Sequence, residues 1–203
     1  MEVLAIINQA AIKHKDAKGF TIVELLIVIV VIGILAAVSI VAYNRVSQKA
    51  SNASTISAAS NTLKILQAYI TEHGKYPQVA TSELTRCILS SSGCENSIGT
   101  FAAPEPGLIA EVARAGTLPA SVPFSGSSRN GIFYQYAPTL IVGSASQPLM
   151  ITYWLQGTNQ ACGVTGVLTS GNPRNISSTG YTSGDEDGKT RCNVTVPGPA
   201  HSS

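Results

Sequence analysis

Charge is scarce in this chain: Asp, Glu, Lys and Arg make up 12% of its 203 residues, about half the usual share of a soluble domain. Aromatic residues are few as well, at 6%, with a single tryptophan. The formal net charge of +2 comes without a face-sized cluster of lysine and arginine, so there is no electrostatic footprint for nucleic acid. None of the four cysteines stands in a C-x-x-C pair or at zinc spacing to a histidine, which removes zinc ribbons and dithiol redox motifs. The three histidines, His14, His73 and His201, are widely separated, and none adjoins a nucleophile motif. Gly163-Val164-Thr165-Gly166 lacks the lysine and the spacing of a phosphate loop. No catalytic set emerges, and the chain reads as a non-enzyme.

What is present is one long apolar run. Leu25 to Ala42 gives eighteen residues without a charge, enough for a helix to cross about 30 Å of hydrocarbon. Lys13, Lys15 and Lys18 precede it, which predicts a cytoplasmic N-terminus and an outward-facing C-terminus. A cleaved secretory signal fits poorly, because Ala36-Ala37-Val38 continues the apolar stretch instead of ending it. A single-pass anchor with an external domain follows. Near the start of the run stands Glu24, and an ionisable group costs about 2.5 kcal/mol or more near the bilayer centre. Cys87, Cys94, Cys162 and Cys192 all lie beyond the run, where an oxidising compartment favours disulfides over free thiols. Of three possible pairings, Cys87–Cys94 with Cys162–Cys192 is preferred because each closes its own loop. The second loop spans about thirty residues, a closure worth roughly 3 to 4 kcal/mol. Four buried thiols are the alternative.

Lys18-Gly19-Phe20-Thr21-Ile22-Val23-Glu24-Leu25, followed by the apolar run, resembles the class III signal of type IV pilins and the related pseudopilins. The resemblance implies cleavage between Gly19 and Phe20 by a prepilin peptidase on the cytoplasmic side, with N-methylation of Phe20. It also accounts for Glu24. A buried carboxylate is tolerable when paired, and in this family it is thought to neutralise the terminal amine of a neighbouring subunit. Glu24 would then set the axial register of a head-to-tail contact that does not close, which generates a filament. Gly33 follows the family pattern. Val41 stands where the family commonly has proline, and a β-branched residue there supports helix continuity where proline would remove a hydrogen bond.

The chain therefore divides, in expectation, into a leader at 1–19 that is removed, a transmembrane or filament-core half-helix at 20–43, an amphipathic half-helix at 44–73, and a globular head at 74–203. In the second half-helix Val46, Ala50, Ala53, Ile56, Leu63, Leu66 and Ile70 recur at helical spacing and predict the buried stripe. Gly74 ends the helix, and Gly74-Lys75-Tyr76-Pro77 turns the chain outward. A short helix is expected within Thr81–Ser90, and a helical turn around Leu108–Ala115. Strands are expected at 131–136, 149–155, 163–168 and 191–196. The fold class is α+β: a long N-terminal helix packed on a small antiparallel sheet of about four strands.

Asp185-Glu186-Asp187-Gly188 is the one dense acidic run. Asp185 and Asp187 are weak candidates for calcium, but no downstream glutamate completes the loop, so a solvated turn is favoured and no cofactor is expected. The segment bounded by Cys162 and Cys192 resembles, by position, the disulfide-bounded C-terminal region of type IV pilins. The family implies a structural subunit that polymerises with other pilins as a homo- or hetero-oligomer. Its partners would be the prepilin peptidase, membrane lipid before assembly, and an assembly machinery in the cytoplasmic membrane. Adhesion, twitching motility and DNA uptake are what such filaments do. A pseudopilin of type II secretion is the alternative, and an anchored binding domain a more distant one.

Overall fold

Helix α1 runs Ile22–His73. The computed structural model describes residues 19–78, 84–97, 100–123, 129–138, 141–142, 145–167 and 183–199. Along the chain follow β1 (Leu84–Cys87), β2 (Cys94–Ser97), β3 (Thr100–Ala102), α2 (Pro106–Val112), β4 (Ile132–Tyr136), β5 (Ile141–Val142), β6 (Ala145–Ser146), β7 (Leu149–Gln156), β8 (Gly184–Glu186) and β9 (Lys189–Thr195). The chain separates into two units, Met1–Asn44 and Arg45–Ser203. The second holds the sheet and the core.

The main sheet has five antiparallel strands in the order β1-β4-β7-β9-β8. Two further pairs, β2 with β3 and β5 with β6, form small sheets of their own. Central strand β7 is buried along Leu149–Leu155, which explains its imperfect alternation: a strand covered on both faces reads as a continuous apolar run. Register separates the faces, because directly opposed residues share one side. Ile151 opposes Tyr134 and Val194, and Tyr153 opposes Ile132 and Cys192. These six belong to one core cluster with Ala59, Leu63, Leu66 and Tyr69 of α1. On the other face Thr152 opposes Asn193 and hydrogen-bonds it at 2.6 Å, while donating to Gln135 at 2.7 Å. Phe133 meets Trp154 edge to face at 5.6 Å between ring centroids.

The buried face of α1 within the second unit is Asn52, Thr55, Ala59, Thr62, Leu63, Ile65, Leu66, Tyr69 and Ile70. This corrects the expected stripe. From Leu63 onward every expected position is buried, joined by Ile65 and Tyr69, but Val46, Ala50 and Ala53 are exposed and Ile56 is half-buried, while Asn52 and Thr55 point inward. The reason lies at the end of β7. Gln156 N–H donates to Asn52 Oδ1 at 2.7 Å, and its carbonyl accepts from Asn52 Nδ2 at 3.0 Å and Gln48 Nε2 at 2.7 Å. A strand end placed against a helix needs partners for its backbone groups, and a carboxamide supplies both. Apolar periodicity is blind to such a contact. Thr55 and Thr62 turn their hydroxyls back to the carbonyls of Ser51 and Ala58, which lets a polar side chain occupy a buried helical position. Asn52→Ala is expected to lower head stability by about 1–3 kcal/mol, because the Gln156 N–H loses its partner and the Gln156 carbonyl keeps only Gln48; urea unfolding of the Arg45–Ser203 fragment measures it.

Other expectations are corrected too. Residues 84–87 form edge strand β1, not part of a helix: Arg86 opposes Tyr134 and Cys87 opposes Phe133, and long-range pairing overrides local propensity. Residues 81–83 lie outside the described residues. Segment 163–167 is no strand, since Gly163 (φ 72°) and Gly166 (φ 83°) break its extension; only Val167 bridges to Val194, and Leu168 lies outside the described residues. The fifth strand, β8, contains part of the acidic run read as a turn; Asp187 and Gly188, both at positive φ, make the turn itself. The expected helical turn is α2, displaced toward the N-terminus by Pro106, which suits the first turn of a helix.

Candidate assembly site

The first unit offers a helix with nothing to bury its apolar surface. Ile22, Leu25, Ile29, Ile32, Leu35, Ile40 and Tyr43 are all exposed. By length and composition, α1 is apolar enough to cross a membrane. At its start Thr21 and Glu24 bond reciprocally. Glu24 N–H donates to Thr21 Oγ1 at 3.2 Å. Thr21 N–H and Oγ1 both donate to Glu24 Oε2, each at 2.8 Å. This is a capping box, a T-x-x-E pattern that satisfies otherwise unpartnered donors at a helix N-terminus. The pattern is local and legible in the sequence, but the resemblance to pilins assigns Glu24 only a role between subunits. Within one protomer Glu24 therefore closes the capping box at the positive end of the helix dipole, four residues from Phe20.

Gly19 and Phe20 precede the helix and are exposed, Phe20 at 82%. A side chain at Gly19 would meet no atom within 4 Å, and the same holds for Gly33. Among the described residues no contact requires glycine at 33, where it costs a helix about 1 kcal/mol relative to alanine. The helix passes through Gly33 and Val41 without a break. His14 lies outside the described residues.

In the second unit both disulfides are present. Cys87–Cys94 closes a separation of 7 residues and Cys162–Cys192 one of 30. Among the described residues no cysteine is free. The acidic hairpin β8–β9 is engaged by protein donors. Asp185 Oδ1 accepts from Asn159 N–H at 2.8 Å and Thr190 Oγ1 at 2.9 Å. Glu186 pairs with Arg129 at 2.9 Å and Arg191 at 3.3 Å, and Asp187 pairs with Arg129 at 2.5 Å. Arg129 and Arg191 lie against the Glu186 and Asp187 carboxylates, while Asp185 is met by a backbone N–H and a hydroxyl. Among the described residues no group of three or more His, Cys, Asp or Glu side chains comes together. His73 stacks on Tyr69 at 4.2 Å, and His201 lies outside the described residues.

A long capped apolar helix joined to an α+β head is the pilin-like arrangement. The prokaryotic N-terminal methylation motif matches residues 14–40, which contain Gly19, Phe20, Glu24 and Gly33. The type IV major pilin protein PilE1 of Neisseria gonorrhoeae is 42% identical over 65 residues, 32% of this chain and 39% of that protein. A fimbrial protein of Neisseria meningitidis serogroup A is 40% identical over 65 residues, covering 32% and 38%. Motif and relatives together support the type IV pilin family. The match spans less than two fifths of these relatives' own length. No solved structure matches the chain.

Proposed function

We propose that this chain is a structural subunit of a type IV pilus-like filament, cleaved between Gly19 and Phe20, N-methylated on Phe20, and polymerised through residues 20–43. One observation carries the reading: an apolar helix exposed all round that presents a capped carboxylate at its tip. Before assembly lipid covers that surface, with the N-terminus cytoplasmic. In the filament neighbouring helices replace lipid, and the amine that cleavage creates on Phe20 meets Glu24 of the next copy. Gly33 would then serve the helix–helix contact, since no described residue of the protomer needs it. The prepilin peptidase and a membrane-embedded assembly machinery are the partners this route requires. That its relatives are major pilins and fimbrial proteins favours a pilus over the short filament of a type II secretion pseudopilin.

Glu24→Gln separates the two roles of this side chain. Glutamine serves at the third position of a capping box, so the helix start is kept while the charge is lost. Removing one partner of a buried ion pair costs about 3–5 kcal/mol, which corresponds to a loss of subunit affinity of about 100-fold or more. The expected result is normal cleavage with few or no filaments in sheared surface material. Filaments at wild-type abundance would contradict the pairing.

A further inference from the structure

Away from the assembly helix, Lys189 of the β8–β9 hairpin reaches the segment that leads into β4. Lys189 Nζ donates to Asn130 Oδ1 at 3.2 Å and to the Arg129 carbonyl at 3.1 Å. Asn130 is 8% exposed, and Lys189 is half-buried. Glu95 N–H donates to the Asn130 carbonyl at 2.8 Å, and Asn130 N–H to the Glu95 carbonyl at 2.9 Å. Such a doubly bonded antiparallel pair sends its two side chains to one face, which puts the Glu95 carboxylate on the side of the sheet where Asn130 meets Lys189, near enough for its charge to act on the Lys189 amine.

The surroundings hold this group in place. Gly131, at φ 107°, lies so close to Cys94 that a Cβ there would fall 2.6 Å from its sulfur, which presses the Asn130 segment onto the Cys87–Cys94 disulfide. Arg129 ties the same segment to Glu186 and Asp187 across the hairpin. Burial lowers the basicity of the Lys189 amine, and the Glu95 charge works the other way. Desolvation favours a neutral amine, the nucleophilic form of lysine.

We propose that Lys189 and Asn130 join in an intramolecular isopeptide bond, with Glu95 as proton carrier. The Lys189 ammonium passes one proton to the Glu95 carboxylate, and neutral Nζ attacks Asn130 Cγ to form the new C–N bond. A second proton moves from Nζ to Nδ2 by way of the same carboxyl group. The Cγ–Nδ2 bond breaks, and ammonia leaves with the proton held by Glu95, as ammonium. A secondary amide remains, and no electron donor or acceptor is needed. The link would fasten β9 to the start of β4 across the intervening β7, covalently bracing three central strands of the head. It does not depend on how the chain assembles.

Mass spectrometry of the full chain isolated under non-reducing conditions tests it, with Lys189→Arg and Asn130→Ala as controls. The wild-type chain is expected to be lighter by one ammonia than its processed, disulfide-bonded sequence, and neither variant should show this deficit. Trypsin should fail to cut after Lys189, and a branched peptide should connect Lys189 to Asn130. Wild-type protein of full mass that is cut at Lys189 overturns the proposal. So does an ammonia deficit without a branched peptide, the signature of a cyclic imide at Asn130–Gly131.

Discussion

A chain carrying Gly19→Val is expected to accumulate as the uncut precursor and to build no filaments. Gly19 and Phe20 lie outside regular structure and are exposed, as a peptidase substrate must be. A side chain there would meet no atom of the described residues within 4 Å, so the substitution disturbs none of them. What changes is the approach of another protein to the backbone, which glycine permits and a branched side chain obstructs. An uncut chain also has no amine on Phe20, so Glu24 has nothing to neutralise and the desolvation cost of its charge stands uncompensated. Processing and assembly are therefore expected to fail together. The measurement is the mass of the membrane-extracted chain, heavier than mature protein by residues 1–19. A Gly19→Val chain of mature mass would contradict the assigned cleavage point.

Replacing Cys162 and Cys192 together by serine is expected to cost the head roughly 3–4 kcal/mol, from the chain entropy that a 30-residue separation restores to the unfolded state. That is a large part of the 5–15 kcal/mol that holds an ordinary domain together. The native contacts point the same way. Cys192 is fully buried in β9 opposite Tyr153, and the Tyr153 hydroxyl donates to the Cys162 carbonyl at 2.5 Å. Opening this bridge therefore frees Cys162 from β9 and leaves the Tyr153 hydroxyl as its tie to the sheet. The Cys87–Cys94 bridge closes only 7 residues, and the same chain-entropy relation assigns it about 2.5 kcal/mol. Denaturant unfolding of the two double-serine variants should rank the long loop as the costlier loss. The opposite ranking would show that strand anchoring near Cys94, not loop entropy, dominates.

The N-terminal helix was legible from sequence because its signals are local. Apolar length, the glycine at 74 and the turn at Pro77 suffice to bound it, and α1 ends where Gly74 N–H bonds back to Ile70 at 2.8 Å. The head was legible only in outline. Strands β4, β7 and β9 announced themselves through Val, Ile, Tyr and Thr, but β1 and β8 are edges whose pairing comes from distant partners. Segment 163–167 has strand-like composition and two glycines at positive φ, and backbone conformation prevailed. Asn52 is the most instructive miss: its burial follows from the needs of Gln156, more than a hundred residues away. At the candidate site the Thr21–Glu24 box was fully local, whereas the meeting of Lys189, Asn130 and Glu95 depends on tertiary placement and left no trace in any motif.

Electron microscopy of sheared surface material, labelled with antibody to the head at residues 74–203, tests the filament assignment most directly. Long fibres labelled along their length are the predicted result. Cells that make the mature protein yet show no labelled fibre, with all of it in the membrane fraction, would contradict it.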